Sequence, residues 1–351
     1  MRVREIGEFG LIDRLRAAVA RGDSTVLVGI GDDAAVVRLD GTPVLTADAL
    51  VEGVHFRADM IDARSVGYKS LAASVSDVVA MGAAPRHALV TLAVPADETV
   101  ERLVEMYEGM AEACERFDMT VVGGDIVGTA GPLILSVTVT GELAGPRPLL
   151  RSGAQPTDLL FVTGDLGGAG AYVHMMNERP DAVLAEEDAA LLRARHQRPW
   201  PPLLAGAALA RAGVCACAND VSDGLSSELH EIAEASGVRL VVDEERIPTL
   251  PALRHYARAV GIRAVDFALT GGEDYQLVGA VSRKDSGRLL TLMEEIGVRV
   301  TFIGRAEDGE PGVELRSARG RQPLARGGYD HFSGGRAFSG GGPVGDGRAH
   351  E

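Results

Sequence analysis

The residues best placed to do chemistry are aspartates that recur beside Gly or Ser. They stand in Gly31-Asp32-Asp33, Ala47-Asp48, Ser76-Asp77, Gly123-Gly124-Asp125 and Asp220-Val221-Ser222-Asp223-Gly224, with Gly271-Gly272-Glu273-Asp274 as a further acidic turn. Taken singly, each has an ordinary explanation, because Asp and Gly shape turns and cap helices far more often than they bind a ligand. Asp77 departs from that pattern. It falls inside a helical stretch, where Ser70, Ser74 and Asp77 make a polar stripe at i, i+4 and i+7. Such a stripe is either a solvated face or one that presents Asp77 to a site. As a set, these carboxylates would repel one another on converging, and a hard divalent cation resolves that conflict. Oxygen-only sets without His or Cys suit Mg²⁺, which also takes waters and substrate phosphates, rather than zinc or copper.

Other phosphate-binding designs fit poorly. The two lysines, Lys69 and Lys284, follow Tyr68 and Arg283, so no Gly-Lys-Ser/Thr phosphate loop exists. A His-Arg-Asp catalytic loop is also missing. Gly29-Ile30-Gly31-Asp32-Asp33-Ala34 matches a loose dinucleotide pattern, but its two aspartates would face the pyrophosphate. The turn Gly164–Gly170 offers backbone N–H groups for a phosphate, a weak signal standing alone, and Arg151 offers a bidentate partner or an ordinary surface charge.

The elements that must position these residues follow from composition and periodicity. The chain has 351 residues, 35 basic and 50 acidic, for a net charge of −15. That balance argues against nucleic acid or an anionic membrane as the main partner. With 46% hydrophobic residues there is material for a real core, and the length favours two domains. Cys114, Cys215 and Cys217 have no CxxC spacing, which fits a reducing compartment. An acidic N-terminus without an apolar run and the lack of a long apolar stretch predict a cytoplasmic protein.

Helical spacing is expected over 5–20, over 64–81 through Leu71, Val75 and Val78, and over 100–114. Strands are expected at 25–28, 43–46, 120–122 and 133–139, the last with alternating Leu133, Leu135, Val137 and Val139. The Pro- and Gly-rich segment 144–157 divides a domain at 1–146 from one at 147–332. In the second half, strands are expected at 159–162, 298–303 and 313–315, a strand–loop–helix unit at 216–235, a hairpin around Gly271-Gly272 and a helix near 284–296. Residues 333–351 are Gly-rich with little apolar content, and a disordered tail is expected there.

In order along the chain, Gly-Ile-Gly-Asp-Asp-Ala (29–34), Thr-Ala-Asp-Ala-Leu-Val-Glu-Gly-Val-His-Phe (46–56) and Lys-Ser-Leu-Ala-Ala-Ser-Val-Ser-Asp-Val-Val-Ala-Met-Gly-Ala (69–83) form a connected pattern. It continues through Gly-Gly-Asp (123–125), Arg-Ser-Gly-Ala (151–154), Val-Thr-Gly-Asp-Leu-Gly (162–167) and Val-Ser-Asp-Gly-Leu (221–225). It closes with Leu-Thr-Gly-Gly-Glu-Asp-Tyr (269–275) and Gly-Tyr-Asp-His-Phe (328–332). Together these segments, spanning some 330 residues, resemble the thiamine-monophosphate kinase family of the aminoimidazole-ribotide synthetase-like (PurM-like) superfamily.

The resemblance implies an α/β (α+β) fold of two domains, a homodimer formed by the N-terminal halves, and transfer of the ATP γ-phosphoryl group to thiamine monophosphate. It implies several Mg²⁺ ions held by Asp33, Thr46, the Ala47 carbonyl, Asp48, Asp77, Asp125, Asp220 and Asp223. It places ATP against Tyr107, Gly124, Asp125, Arg151 and Ser222, and the acceptor against His55, Glu273 and Tyr329. Thr-Ala-Asp at 46–48 departs from relatives that carry two hydroxyl residues before the Asp, yet Thr46 keeps one hydroxyl. No residue is implied as a classical base, and none is needed, since a phosphate monoester with a second pKa near 6 is already mostly ionised.

Related activities fit less well. A selenophosphate synthetase calls for a reactive Cys near its N-terminus, whereas the first Cys is Cys114, and a hydrogenase-maturation relative calls for a C-terminal Cys, whereas the chain ends Arg-Ala-His-Glu. Aminoimidazole-ribotide synthetase is the enzymatic alternative, disfavoured by the 51–56 and 328–332 segments. An acidic cation-binding module is the non-enzymatic one.

Overall fold

The computed structural model describes residues 1–31, 33–178 and 184–329. Asp32, the Asp330–Phe332 end of the last family motif and the 333–351 tail lie outside the described residues. The first half runs α1 (Val3–Ala18), β1 (Val26–Val28), β2 (Val36–Val37), β3 (Pro43–Val51), α2 (Ala63–Ala80), β4 (Ala83–Pro95), α3 (Val100–Phe117), β5 (Thr120–Thr129) and β6 (Ile134–Leu143). The second half begins β7 (Leu159–Thr163), α4 (Gly168–Glu178), α5 (Glu186–Gln197), α6 (Leu203–Ala212), β8 (Cys215–Asp220) and α7 (Leu225–Ser236). It continues β9 (Arg239–Asp243), α8 (Pro251–Val260), α9 (Ala264–Thr270), β10 (Leu277–Val281), α10 (Ser286–Glu295), β11 (Val300–Glu307), β12 (Gly312–Ser317) and β13 (Gly320–Pro323). This mixture of helices and sheets is the α/β architecture expected from the sequence.

In the first half, β3-β6-β4-β5 form one sheet in which β4 and β5 are parallel and the other pairs antiparallel. Alternation decides its faces. Leu135, Val137 and Val139 of β6 and Val90 and Leu92 of β4 are buried in the core that also takes α2 and α3, while Leu45 and Leu89 point the other way, 68% and 42% exposed. Asp62 caps α2, accepting from Ser65 N at 2.8 Å. The two helices meet backbone to backbone. A Cβ on Gly67 would collide with the Met106 carbonyl, and one on Gly109 with the Arg64 carbonyl, so a larger residue at either position forces the helices apart.

The second half builds a seven-stranded sheet, β13-β12-β9-β11-β7-β10-β8, with one parallel pair, β12 and β9. α7 and α9 pack on the core around Leu160, Val162, Leu225, Leu229 and Leu240. Leu277 and Val281 of β10 and Phe161 of β7 join the core of the first half, so apolar packing is continuous across the 144–157 segment.

One expectation requires correction. Gly271-Gly272 is not a hairpin turn. It joins α9 to β10, and the following residues lie along the 221–223 loop, with Glu273 N donating to Ser222 O at 2.7 Å and Tyr275 N to Val221 O at 2.8 Å. Gly272, at φ 67°, has its Cβ direction only 2.7 Å from the Ser222 carbonyl, so the turn needs glycine on both counts. The structure also contains the thirteen-residue strand β4, for which the sequence shows no period. Its consecutive apolar residues 88–90 and 92–94 hide the alternation that the structure reveals.

Candidate active site

Two cavities flank the first-half sheet. The larger, about 910 Å³, is lined by Asp33, Tyr107, Gly124 and Asp125, with α1 and the 29–35 segment closing one side. The smaller, about 700 Å³, lies where the two halves meet and is lined by Ala47, Asp48, His55, Asp77, Asp220, Ser222, Asp223, Glu273 and Tyr329. Strand register relates them. Asp48 stands opposite Val137, Val137 opposite Val90, and Val90 opposite Gly124, so one row crosses the sheet from one cavity to the other. Three strand spacings put the ends of that row ~14 Å apart. Asp125 follows Gly124 at the larger cavity, and Thr46 and Ala47 precede Asp48 at the smaller one.

The smaller cavity concentrates negative charge. β3 turns Thr46 and Asp48 toward α2, where the Thr46 hydroxyl donates to Asp77 Oδ2 at 2.5 Å. From the second half, Asp220 ends β8 and accepts from Ser76 Oγ at 2.7 Å. Burial lifts the Asp77 carboxyl to about 6, opposed by the Thr46 hydroxyl and reinforced by the charge of Asp48. Burial also lifts Asp220 to about 7, and the neighbouring charge of Asp77 adds to it. Asp48 is raised by burial, against the opposing charge of His55. Its Oδ2 atom is buried without a hydrogen-bond partner, as is Ser74 Oγ. The stripe of Ser70, Ser74 and Asp77 is therefore not a solvated face, since both serines are buried.

Three buried carboxylates, of which Asp48 raises Asp77 and both raise Asp220, one with an orphaned oxygen, suit a hard cation. Among the described residues, no three His, Cys, Asp or Glu side chains already stand as a finished ligand set. The eight positions implied for metal are divided, with Asp33 and Asp125 lining the larger cavity and Ala47, Asp48, Asp77, Asp220 and Asp223 the smaller. Thr46 reaches the smaller group through Asp77. Behind the 220–223 loop, buried Glu228 accepts from Asp223 N at 3.0 Å and from Asn219 Nδ2 at 2.7 Å, fixing the loop from below.

At the other end of the smaller cavity, the His55 and Tyr329 rings lie 6.3 Å apart, tilted by 57°. His55 Nδ1 accepts from Val51 N at 3.0 Å, which in the neutral ring leaves the proton on Nε2. Tyr329 is tied to the 220–223 loop by its N–H to Asp223 O at 3.3 Å. Arg151 sits at the margin, its Nε 3.1 Å from both Asn219 Oδ1 and Glu231 Oε2, and its charge opposes the rise at Asp77.

Glu273 has partners that sequence reasoning missed. Lys69 Nζ lies 2.6 Å from its Oε1 and His196 Nδ1 2.9 Å from its Oε2, and these two neighbours hold the carboxyl well below its ordinary range against the effect of burial. The available signal was helical phase, since Lys69 precedes Asp77 by eight residues and i, i+4 and i+8 share a face. No spacing leads to His196, which comes from α5.

The structure also disposes of the Gly164–Gly170 turn as a phosphate cradle. The Gly167 amide at the start of α4 donates to Asp274 Oδ2 at 2.6 Å, so a carboxylate of the chain already occupies the helix end. The dinucleotide pattern at 29–34 is followed by β2 rather than by the helix that such a pattern requires.

Comparison with known proteins bears on this arrangement. The N-terminal domain model of AIR synthase related proteins matches residues 31–143 and the C-terminal domain model residues 155–316. A Bacillus subtilis thiamine-monophosphate kinase is 37% identical over 331 residues, covering 93% of this chain and 99% of that protein. The crystal structure of thiamine-monophosphate kinase from Stenotrophomonas maltophilia, 36% identical, superposes with a TM-score of 0.77 over 88% of this chain and 96% of that one. A structure described as AaThiL complexed with AMPPCP and TMP, 32% identical, gives 0.74 over 95% and 99%. Two matched domains and near full-length identity above 30% show that the chain belongs to the thiamine-monophosphate kinase family.

Proposed function

We propose that the chain transfers the γ-phosphoryl group of ATP to thiamine monophosphate, giving thiamine diphosphate. The observation that carries this reading is the single sheet row joining two cavities, each with carboxylates at its end. ATP is assigned to the larger cavity, with Tyr107, Gly124 and Asp125 as contacts and Arg151 and Ser222 reaching its phosphates from the second half. Thiamine monophosphate is assigned to the smaller one, against His55, Glu273 and Tyr329.

Asp33, Thr46, the Ala47 carbonyl, Asp48, Asp77, Asp125, Asp220 and Asp223 would hold Mg²⁺, which when bound neutralises phosphate oxygens and holds donor and acceptor in line. The protein contributes position more than proton transfer. The acceptor oxygen is already ionised at neutral pH, so no side chain must remove a proton from it. Glu273 faces the cationic thiazolium, and the Tyr329 ring offers a face to it. Ser76 and Thr46 orient Asp220 and Asp77 through their hydroxyl hydrogen bonds.

The proposed domains are 1–146 and 147–332, with 333–351 as a tail. A homodimer through the open sheet face is favoured by the exposed Leu45, Leu89 and Val127 on it. A cytoplasmic location is proposed on the cysteine pattern, and no helix among the described residues is long and apolar enough to cross a membrane.

The test compares ADP release with thiamine monophosphate, free thiamine and aminoimidazole precursors in parallel, with products separated by chromatography. Thiamine diphosphate forming only from the monophosphate is expected. Equal use of free thiamine would overturn the acceptor assignment.

A further inference from the structure

Lys69 is 1% exposed, and its ammonium is held by Glu273 Oε1, while His196 Nδ1 takes the other oxygen. Both oxygens of Glu273 are thus committed to protein groups, one from α2 and one from α5. The backbone is committed too, since Glu273 lies at φ 57°, a region costly for a side-chain-bearing residue, and its N–H is bonded to Ser222 O. Three separate elements converge to fix one carboxylate that still lines the smaller cavity, as do Lys69 and His196 themselves.

Stability is a poor explanation for such a cluster. Desolvation offsets most of the attraction in a buried ion pair, and apolar residues of similar volume serve a core as well or better. What the ion pair provides is orientation. It also links Glu273 to α2, whose Ser76 bonds Asp220 and whose Asp77 belongs to the carboxylate group. Eight residues of α-helix separate Lys69 from Asp77, a rise of ~12 Å. One rigid helix therefore spans from the ring-facing end of the cavity to the phosphate-facing end.

We propose that Lys69, assisted by His196, is a positioning residue for the acceptor, holding the Glu273 carboxylate at a set distance from the metal-facing end of α2. This rests on the reading of Glu273 as an acceptor contact. Lys69 acts through Glu273 and touches neither ATP nor the transferred group. Its loss releases the carboxylate from its fixed orientation, so the acceptor is affected and the nucleotide is not.

Steady-state kinetics of the full chain with ATP, Mg²⁺ and thiamine monophosphate test this. Lys69→Met is expected to raise KM for the acceptor by about tenfold while KM for ATP changes by less than about twofold and kcat falls less than KM rises. His196→Leu is expected to give the same split at smaller size, and carries the test where Lys69→Met does not fold. Glu273→Gln alone is expected to raise acceptor KM, and Lys69→Met added to it to cause no further rise, because the lysine then has nothing to position. A purely structural role predicts instead equal loss toward both substrates, or effects that add in the double variant, and either result overturns the proposal. An acceptor KM raised by Glu273→Gln but not by Lys69→Met or His196→Leu overturns it alone. An acceptor KM unmoved by Glu273→Gln overturns the acceptor reading of that residue, and this proposal with it.

Discussion

The two cavities reach similar volumes by different routes. The larger is made within the first half, from the middles of neighbouring strands, α1 and the segment before β2, and its candidate residues Asp33, Gly124 and Asp125 sit in short local motifs. The smaller is made between halves, with β3 and α2 on one side and the 220–223 and 271–275 loops on the other. The difference lies in what must be correct before each exists. The larger needs one sheet in register. The smaller also needs the two halves docked, and its buried contacts Ser76–Asp220 and Lys69–Glu273 both cross that junction. The lining of the larger cavity thus depends on the first half alone, whereas that of the smaller also depends on how the halves dock.

Removing a proposed metal ligand from either end breaks the comparison most severely. Asp48→Asn at the smaller cavity and Asp125→Asn at the larger should each lower kcat by ~10³-fold or more, with circular dichroism and melting temperature close to wild type. A large loss in one variant and near-normal kcat in the other at limiting Mg²⁺ would show that the cavities do not share one metal-held phosphate chain.

A smaller effect separates the substrates. Tyr329→Ala should weaken thiamine monophosphate binding by roughly fivefold and leave ATP unchanged, the loss expected for one cation–π contact of about 1 kcal/mol. Arg151→Ala should do the reverse. Titrating each variant with each substrate by calorimetry checks the assignment, and an effect of Tyr329→Ala on ATP alone reverses it.

Thermal shift sharpens the same distinction with no substitution. Mg²⁺ alone should raise the melting temperature by a few degrees, and adding an ATP analogue should raise it further, because each ligand bound to the folded state stabilises it by mass action. A response to Mg²⁺ with no further response to nucleotide would favour a cation-binding module.

A pH-dependent effect concerns adjacent residues that the fold treats oppositely. Glu273 is held low by Lys69 and His196, whereas burial lifts its neighbour Asp274 to about 7. When folded, Asp274 keeps its proton to about 7, whereas the unfolded chain loses it near 4. Ionisation of this group therefore costs folding stability as pH rises from about 4 to about 7. Wild type should lose stability relative to Asp274→Asn across that window, by at most about 1.4 kcal/mol per pH unit. Urea midpoints of both proteins at four pH values read this out, and parallel curves would refute it.

Much of the architecture was legible because it is local. The 3.6 period through Leu71, Val75 and Val78 marks α2, which spans Ala63–Ala80, and the two-residue alternation of Leu133 to Val139 marks β6, at Ile134–Leu143. β4 escaped because a strand with apolar residues on consecutive positions has no visible period, although it pairs with neighbours on both sides. The 271–275 turn was misjudged for a related reason. Two glycines announce a turn, but a carbonyl fifty residues away, on Ser222, decides which turn it is.

The sequence by itself determined which residues are candidates for chemistry: aspartates beside Gly, Ser or Ala on strands, loops and one helix, in an acidic chain without a phosphate loop, in an order that resembles one enzyme family. Those are properties of residue type and short spacing, which a linear string contains in full. Only the tertiary structure decided how the residues are grouped. It set Asp33 and Asp125 apart from Asp48, Asp77 and Asp220, filled the start of α4 with Asp274, and buried Lys69 against Glu273 from 204 positions away. The physical reason is that desolvation, mutual repulsion and ion pairing depend on separation in space, and chain folding brings groups from distant positions within a few ångströms.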